Sequence, residues 1–532
     1  MQKYGYFLIL LFTVVTGFYL VSAWQLLPVG SPFVYPIDDA YIHLAISKNF
    51  ANYGVWSINT SGFDSASSSI LYTLLLSLFI KIFGNNLYIP LVINLLFGYL
   101  TIYSVYRYFK DFYGVAELKW SIFLLLPFTL LYASVISGME QTLHLFLMVL
   151  LMYFIKMNEK HQFFGKNFYV LLMMVFLLSM VRFESMFLTV SLAFALVLRR
   201  NFWQSAMVLL VGFLPIVLFG LISIENGGFF FPNSVLMKGS YPENQHFLVS
   251  FFHLIKEGIF LNPSFYKCLF FPLLMMFILY TKKYQKSNFG FFINSETLLI
   301  TIVATGLLHS IFAILKFRYE NYLMLAFLLM IIPIITDFFK NFKTEKFLRK
   351  WEMLIGIFGV IAVSVYRFQF MHVPLLVSSK NVAEQQVEMA RFLHKNYQKQ
   401  KVLANDIGAI SYFGDVQLLD MVGLGSTKIT KIQLKSKSLS TEDFQNEYKN
   451  FLTNYTKENN YKVAVIYPQW FPNQIPDTWI RVASCTISEN RGTALPTVVF
   501  YACNASEKQK LVEALQNFDL NKNVKLKFLT HF

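Results

Sequence analysis

Long apolar runs, broken by short polar stretches, dominate the first two thirds of the chain. Runs of spanning or near-spanning length cover residues 5–25, 87–106, 120–137, 139–155, 168–181, 184–198, 203–224, 265–281, 294–313, 321–338 and 351–367. A helix needs about 20 apolar residues to cross a bilayer, so the pattern predicts about 11 spans, with the shorter ones forming a protected, partly re-entrant centre. The run 68–84 is ambiguous. From about residue 375 the pattern changes. Residues 382–398 have helical periodicity, Val402-Leu403-Ala404, Lys462 to Tyr467, Arg481 to Ile487 and Thr497 to Ala502 read as strands, and 507–517 reads as a helix. The expected architecture is a polytopic α-helical membrane bundle over 1–370 followed by a soluble α/β domain over 371–532.

Composition supports that class. Hydrophobic residues make up 56% of the chain and charged residues 14%, where a soluble domain carries about a quarter charged; mean hydropathy is +0.50. A net charge of +15 raises nucleic acid as a partner. The basic residues, however, fall in short clusters between apolar runs: Lys156 to Lys166, Arg199-Arg200, Lys282-Lys283-Lys286 and Lys340 to Lys350. Cytoplasmic loops have this form, and no basic face interleaved with stacking aromatics stands out, so nucleic acid is not an expected partner. With the N-terminus inside, these clusters stay inside, while loop 26–86, Glu140, Arg182, loop 225–264, Arg318 and the C-terminal domain lie outside. Counting 68–84 as a span would invert this order, so it reads as a juxtamembrane or half-inserted helix. The segment Met1 to Ala23 ends in Val-Ser-Ala, but its apolar run exceeds a signal-peptide core and favours an uncleaved first span. Of the three cysteines, Cys268 reads as packing in a span. Cys485 and Cys503 lie in strand-like runs that an exported domain could join as a disulfide or leave as two thiols.

The strongest candidate chemistry is Tyr35-Pro36-Ile37-Asp38-Asp39-Ala40-Tyr41-Ile42-His43. Two adjacent carboxylates at a membrane surface suit a general base, or a site for a divalent cation (Mg, Mn or Ca), facing a lipid-borne substrate. The bland alternative is a solvated loop in which one of them caps the following helix. Glu140 could assist a base, hold an acceptor, or simply favour a helix start. Arg182 and Glu184 read as a structural ion pair at a turn, and His43 as packing. In the tail, Trp470, Phe471 and Trp479 read as local core before sugar platforms. There is no Walker loop, dinucleotide glycine fingerprint or zinc-type Cys/His spacing, which argues against an ATP-driven pump.

The stretch from Tyr35 to His43, continued by Asn49, Gly54, Asn59, Ser67-Ser68-Ser69 and Leu71 to Leu76, resembles the first-loop signature of polyprenyl-phosphate-sugar-dependent GT-C glycosyltransferases. It is especially similar to the bacterial group containing the mycobacterial arabinofuranosyltransferases. Further matches follow in order: Ser137-Gly138-Met139-Glu140, Arg182-Phe183-Glu184, Phe231-Pro232-Asn233-Ser234 with Lys238, and Phe317-Arg318-Tyr319. In the tail, Asn405 to Ile410, Asp420 and Gly423-Leu424 also resemble this group. Such relatives often carry Arg-Pro-Glu where this chain has Arg182-Phe183-Glu184.

The resemblance implies a sugar donor linked through phosphate to a polyprenol in the outer leaflet, and an envelope glycan or glycolipid acceptor. The acceptor hydroxyl would attack in line with inversion. Asp38 or Asp39 would take its proton, and Arg318 and Lys238 would hold the departing phosphate. Glu140, Arg182 and Tyr319 complete the implied substrate-binding set. A transporter or flippase of a lipid-linked sugar is the main rival. A transporter should carry ionisable groups deep in its spans, whereas the charges here gather at helix ends on one side. A binding or sensing protein working through the tail is the second rival.

Overall fold

The computed structural model describes residues 1–28, 31–160, 162–240, 247–283, 293 and 295–529. Lys286 of the third basic cluster lies outside them. The apolar runs form helices. Among the described residues, six helical segments are long and apolar enough to cross a membrane: Gln2–Gln25, Ile89–Phe112, Gln141–Glu159, Phe202–Glu225, Asn321–Lys340 and Lys350–Tyr397. Shorter apolar helices, Ile70–Phe83, Lys166–Val181, Ser185–Leu198 and Thr297–Phe312, pack among them. On Phe202–Glu225 the side chains of Leu210, Leu214, Leu218 and Leu221 form one exposed stripe, the face a bundle turns to lipid. Asn321–Lys340 is central instead, buried almost all round.

The run 120–137 is two helices, Val115–Thr129 and Leu131–Ile136, divided by Leu130 in the left-handed region at φ 51°. The second helix leads into the turn Ser137 to Glu140. The ambiguous run is the 14-residue helix Ile70–Phe83. The Ser69 hydroxyl caps it by accepting from the Tyr72 N–H at 3.2 Å.

The tail holds a six-stranded sheet of β1 (Lys401–Ala404), β2 (Gln417–Asp420), β3 (Val463–Ile466), β4 (Ile480–Ile487), β5 (Thr497–Ala502) and β6 (Val524–Phe528), in the order β2-β1-β3-β5-β4-β6. β1 runs parallel to both β2 and β3, and the other pairings are antiparallel. Alternation along the strands sends Val402, Val465 and Phe500 to one face, beneath helices Glu388–Tyr397 and Ala505–Gln516. Leu403, Ala464 and Tyr501 go to the other, beneath helix Thr441–Glu458.

Cys485 packs in the first of these cores and Cys503 in the second. All three cysteines are free thiols. The disulfide alternative therefore fails, because side chains on opposite faces of a sheet cannot bridge.

The first core is continuous with that of the bundle. Helical structure runs unbroken from Phe347 to Tyr397, so no break in the helix marks residue 371. The first loop also grips the sheet. Asn59 Nδ2 donates to the Leu418 carbonyl at 3.0 Å, and the Leu418 N–H donates back to Asn59 Oδ1 at 2.8 Å. Asn59 thus supplies the partners that the outer edge of β2 lacks.

Candidate active site

Helix Asp39–Tyr53 lies within the first loop, soon after the first span. Asp39, Ile42 and His43 share one helical face by their i, i+3, i+4 spacing, and all three line a cavity of about 760 Å³, open mouth included. Arg182, Glu184, Lys238, Arg318 and Tyr319 line it from the bundle side, and Leu424 from the tail. Asp39 Oδ2 forms a close ion pair with Arg318 Nη2 and lies 3.5 Å from Lys238 Nζ. Burial alone would raise the Asp39 carboxyl, but the Lys238 and Arg318 charges outweigh it and hold the group far below the usual carboxylate range. Asp39 in turn raises the Lys238 ammonium.

Arg318 Nη2 also donates to Tyr319 Oη at 3.2 Å, whereas Nη1 is buried with no acceptor among the described residues. The Tyr319 ring lies between two guanidiniums, 4.8 Å from Arg182 and 5.0 Å from Arg318. Burial raises the Tyr319 phenol, but Arg318 and Lys238 outweigh that and set it below its ordinary value. Arg318 and Lys238 share one carboxylate, so the wall they form carries a net positive charge.

A buried network stands behind this wall. Arg182 Nη2 donates to Glu184 Oε1 at 2.6 Å and Nε donates to Oε2 at 3.1 Å, while Nη1 donates to Glu140 Oε1. Glu140 is fully buried, and its Oε2 lies 3.4 Å from His43 Nε2. His43 Nδ1 lies 3.1 Å from Thr73 Oγ1. Glu140 thus orients His43 and Arg182 from the rear. Its turn needs glycine: Gly138 has φ 71°, and a Cβ there would come within 2.5 Å of the Tyr35 ring. A second buried pair, Arg367 Nη1 to Glu320 Oε1 at 2.8 Å, with Arg367 Nη2 to Asn321 Oδ1 at 2.8 Å, anchors the chain just after Arg318-Tyr319.

Asp38 turns the other way. Its carboxylate accepts from the Gly408 N–H at 2.7 Å and the Ala409 N–H at 2.8 Å. It therefore caps the tail helix Gly408–Phe413 rather than its own. Burial and the Asp406 charge raise the Asp38 carboxyl, and Asp406 is likewise raised, first by burial. A Cβ at Gly408 would lie 2.0 Å from the Asp38 carbonyl oxygen. Gly408→Ala is expected to destabilise the joint between tail and bundle by about 1–3 kcal/mol, the usual cost of overpacking. Thermal unfolding of the purified protein checks this; an unchanged midpoint would remove the joint from the account.

The donor set does not suit a divalent cation. Nitrogen donors engage both Asp38 oxygens and Asp39 Oδ2, and among the described residues no group of three His, Cys, Asp or Glu side chains could hold a metal. Of the residues singled out in the sequence, Asp39, Lys238, Arg318, Tyr319 and Arg182 meet at one cavity, Glu140 stands behind it, and Asp38 faces the tail. His43 and Glu184 belong to the site although the sequence reading gave them structural roles. The i, i+4 spacing from Asp39 was the available signal for His43. Phe471 and Trp479 are buried in the second tail core, whereas Trp470 is exposed and does not belong to it.

Residues 380–501 match a family described as "Domain of unknown function (DUF8728)". None of the curated proteins matches the chain. Two crystal structures of ArnT from Cupriavidus metallidurans share its fold. The one bound to undecaprenyl phosphate has a TM-score of 0.50 at 13% identity, covering 94% of this chain and 98% of that one. The apo structure has a TM-score of 0.51 at 14% identity, with the same coverage. The chain shares the fold of these ArnT structures, and with its apolar helices it is an integral membrane protein.

Proposed function

We propose that this chain is an inverting membrane glycosyltransferase. It takes a sugar from a polyprenyl-phosphate donor and transfers it to an envelope glycan or glycolipid acceptor at the outer face of the membrane. The observation that carries this reading is Asp39 bound to both Arg318 and Lys238 on the wall of one cavity. A phosphate diester fits that wall: its oxygens match the guanidinium fork and compete with Asp39 for both cations. The ArnT structure with undecaprenyl phosphate shows that a protein of this fold can bind a polyprenyl phosphate.

Donor binding then prepares the base. Once phosphate neutralises Arg318 and Lys238, the interactions that depress Asp39 weaken, while its burial remains. Its proton affinity rises, which suits it to general-base work. Asp39 takes the acceptor hydroxyl proton, the acceptor oxygen bonds to the anomeric carbon, and the anomeric C–O bond to phosphate breaks. That electron pair leaves on the phosphate, where Arg318 and Lys238 stabilise it. His43 and Tyr319, held by Glu140 and Arg182, fix the cavity around the reacting centre.

Undecaprenyl phosphate binding by the purified protein tests the reading. Arg318→Ala is expected to weaken it at least tenfold, since charge-assisted bonds contribute about 1.5–3 kcal/mol, and Lys238→Ala by less. Unchanged binding in Arg318→Ala would overturn the phosphate assignment. The pH dependence has a definite sign. Asp39 acts ionised, so activity falls as pH falls through its pKa. The acid limb of kcat, which reports the donor complex, should lie at higher pH than that of kcat/KM for the donor, which reports the free enzyme. The charged and titratable groups that act on Asp39 are Lys238, Arg318, His43 and Tyr319 together with Asp38 and Asp406, and the donor diester itself does not titrate in this range. Coincident limbs would contradict the release of Asp39 by phosphate.

A further inference from the structure

A second cavity of about 740 Å³, mouth included, opens between the tail sheet and the bundle. It sits at a particular place in the sheet. β1 has β2 on one side and β3 on the other, both parallel to it. The chain passes from β1 to β2 and then crosses to β3, so the strand order reverses beside β1. Open α/β sheets bind ligands in the crevice outside the carboxyl ends of such strands. Here Asp406, just past the end of β1, lines the crevice, and Tyr467, just past the end of β3, donates to it from behind.

The lining is that of a sugar site. Asp406 and Gln386 form the floor, where Gln386 Nε2 and Tyr467 Oη each donate to Asp406 Oδ2 at 2.8 Å. Gln386 is 4% exposed, and its Oε1 is buried with no hydrogen-bond partner among the described residues. Arg491 and Thr493 stand at the rim, and Phe317 and Phe370 supply apolar surface. Carboxylate and amide oxygens that accept, a guanidinium that donates, and aromatic rings for the C–H face match a neutral polyol ring. A phosphate would meet the Asp38 and Asp406 carboxylates instead, which makes this cavity unlike the first.

Two adjacent residue pairs form a partition between the cavities. Asp39 and Arg318 line the first, while their neighbours Asp38 and Phe317 line the second. We infer that the crevice between β1, β3 and the bundle binds a neutral sugar unit of the acceptor, with Gln386, Asp406 and Arg491 reading its hydroxyls. The acceptor role rests on the transferase reading, whereas the sugar site stands on its own lining.

The test uses the full chain in lipid nanodiscs without sugar detergents. The probes are methyl glycosides and disaccharides of neutral hexoses and pentoses, followed by saturation-transfer NMR. Two variants act at the exposed rim, where folding is least at risk: Arg491→Ala, and Ala494→Trp, which fills the mouth. The expected result is millimolar binding of at least one probe, weakened at least fivefold in both variants, with undecaprenyl phosphate binding unchanged in both. No binding by any probe, or sugar binding that Ala494→Trp leaves intact, would overturn the inference. Failure of undecaprenyl phosphate to bind wild type would instead remove the transferase reading and leave the sugar site standing.

Discussion

Asp39→Asn is expected to lower sugar transfer by about 100- to 10,000-fold, the range a general base contributes, while undecaprenyl phosphate still binds. Asparagine keeps the shape of the side chain but cannot take the acceptor proton. It also removes the anion that competes with phosphate for Arg318 and Lys238, so donor binding should hold or tighten. A purely structural carboxylate would behave differently: losing it would leave two buried cations unpaired and damage donor binding and stability together. Asp38→Asn supplies the contrast. Its carboxylate accepts two backbone N–H groups of the tail, so the change should appear first in thermal stability. Kinetics and binding of both variants, measured side by side, separate the roles. Loss of transfer in Asp38→Asn with full activity in Asp39→Asn would reverse the assignment.

Arg182→Met should be the most damaging single change to the fold of the site. Arg182 is 2% exposed and pairs with Glu140, which is 0% exposed. Removing one partner of a buried ion pair strands the other charge, typically at about 3–5 kcal/mol. The double variant Arg182→Met/Glu140→Gln should recover part of that loss, because it removes the fully buried one of the two stranded carboxylates and leaves only the more exposed Glu184. Unfolding of the two single variants and the double variant in one detergent completes the cycle. Strict additivity would show that the pair contributes no coupling, and Glu140 would then need another role.

Much of this arrangement is legible in the chain, and the remainder has physical reasons for being hidden. The apolar runs become helices because their length and composition leave little choice in lipid. Short elements fared differently. β2, Gln-Leu-Leu-Asp, is too short to announce itself and is completed by Asn59, more than 350 residues earlier at |i−j| 359. β6 alternates Val, Lys, Leu, Lys and Phe in the manner of a guarded edge strand, and helix Thr441–Glu458 carries Phe444, Tyr448 and Leu452 at i, i+4 spacing. Both patterns are present in the spacing of their residues, though far weaker than the membrane signal. The break at Leu130 has no glycine or proline at that position to mark it.

The division of labour between Asp38 and Asp39 is different in kind. Successive residues on a helix point about 100° apart, so two adjacent carboxylates must face different surroundings. Which surroundings they meet depends on Gly408 approaching Asp38 and on Arg318 approaching Asp39, contacts that only the folded chain brings about. Cys485 and Cys503 carry the same lesson, since strand parity separates two thiols that sequence proximity alone would let pair.

The central claim is bond-making chemistry on a polyprenyl-phosphate sugar. It is met most directly by reconstituting the wild-type protein in liposomes with undecaprenyl-phosphate sugars labelled in the sugar, together with envelope glycan acceptors. The account predicts label in the acceptor with inverted anomeric configuration, and free undecaprenyl phosphate in equal amount. Labelled donor that crosses the bilayer intact, with no label in any acceptor, would contradict it and establish a transporter in its place.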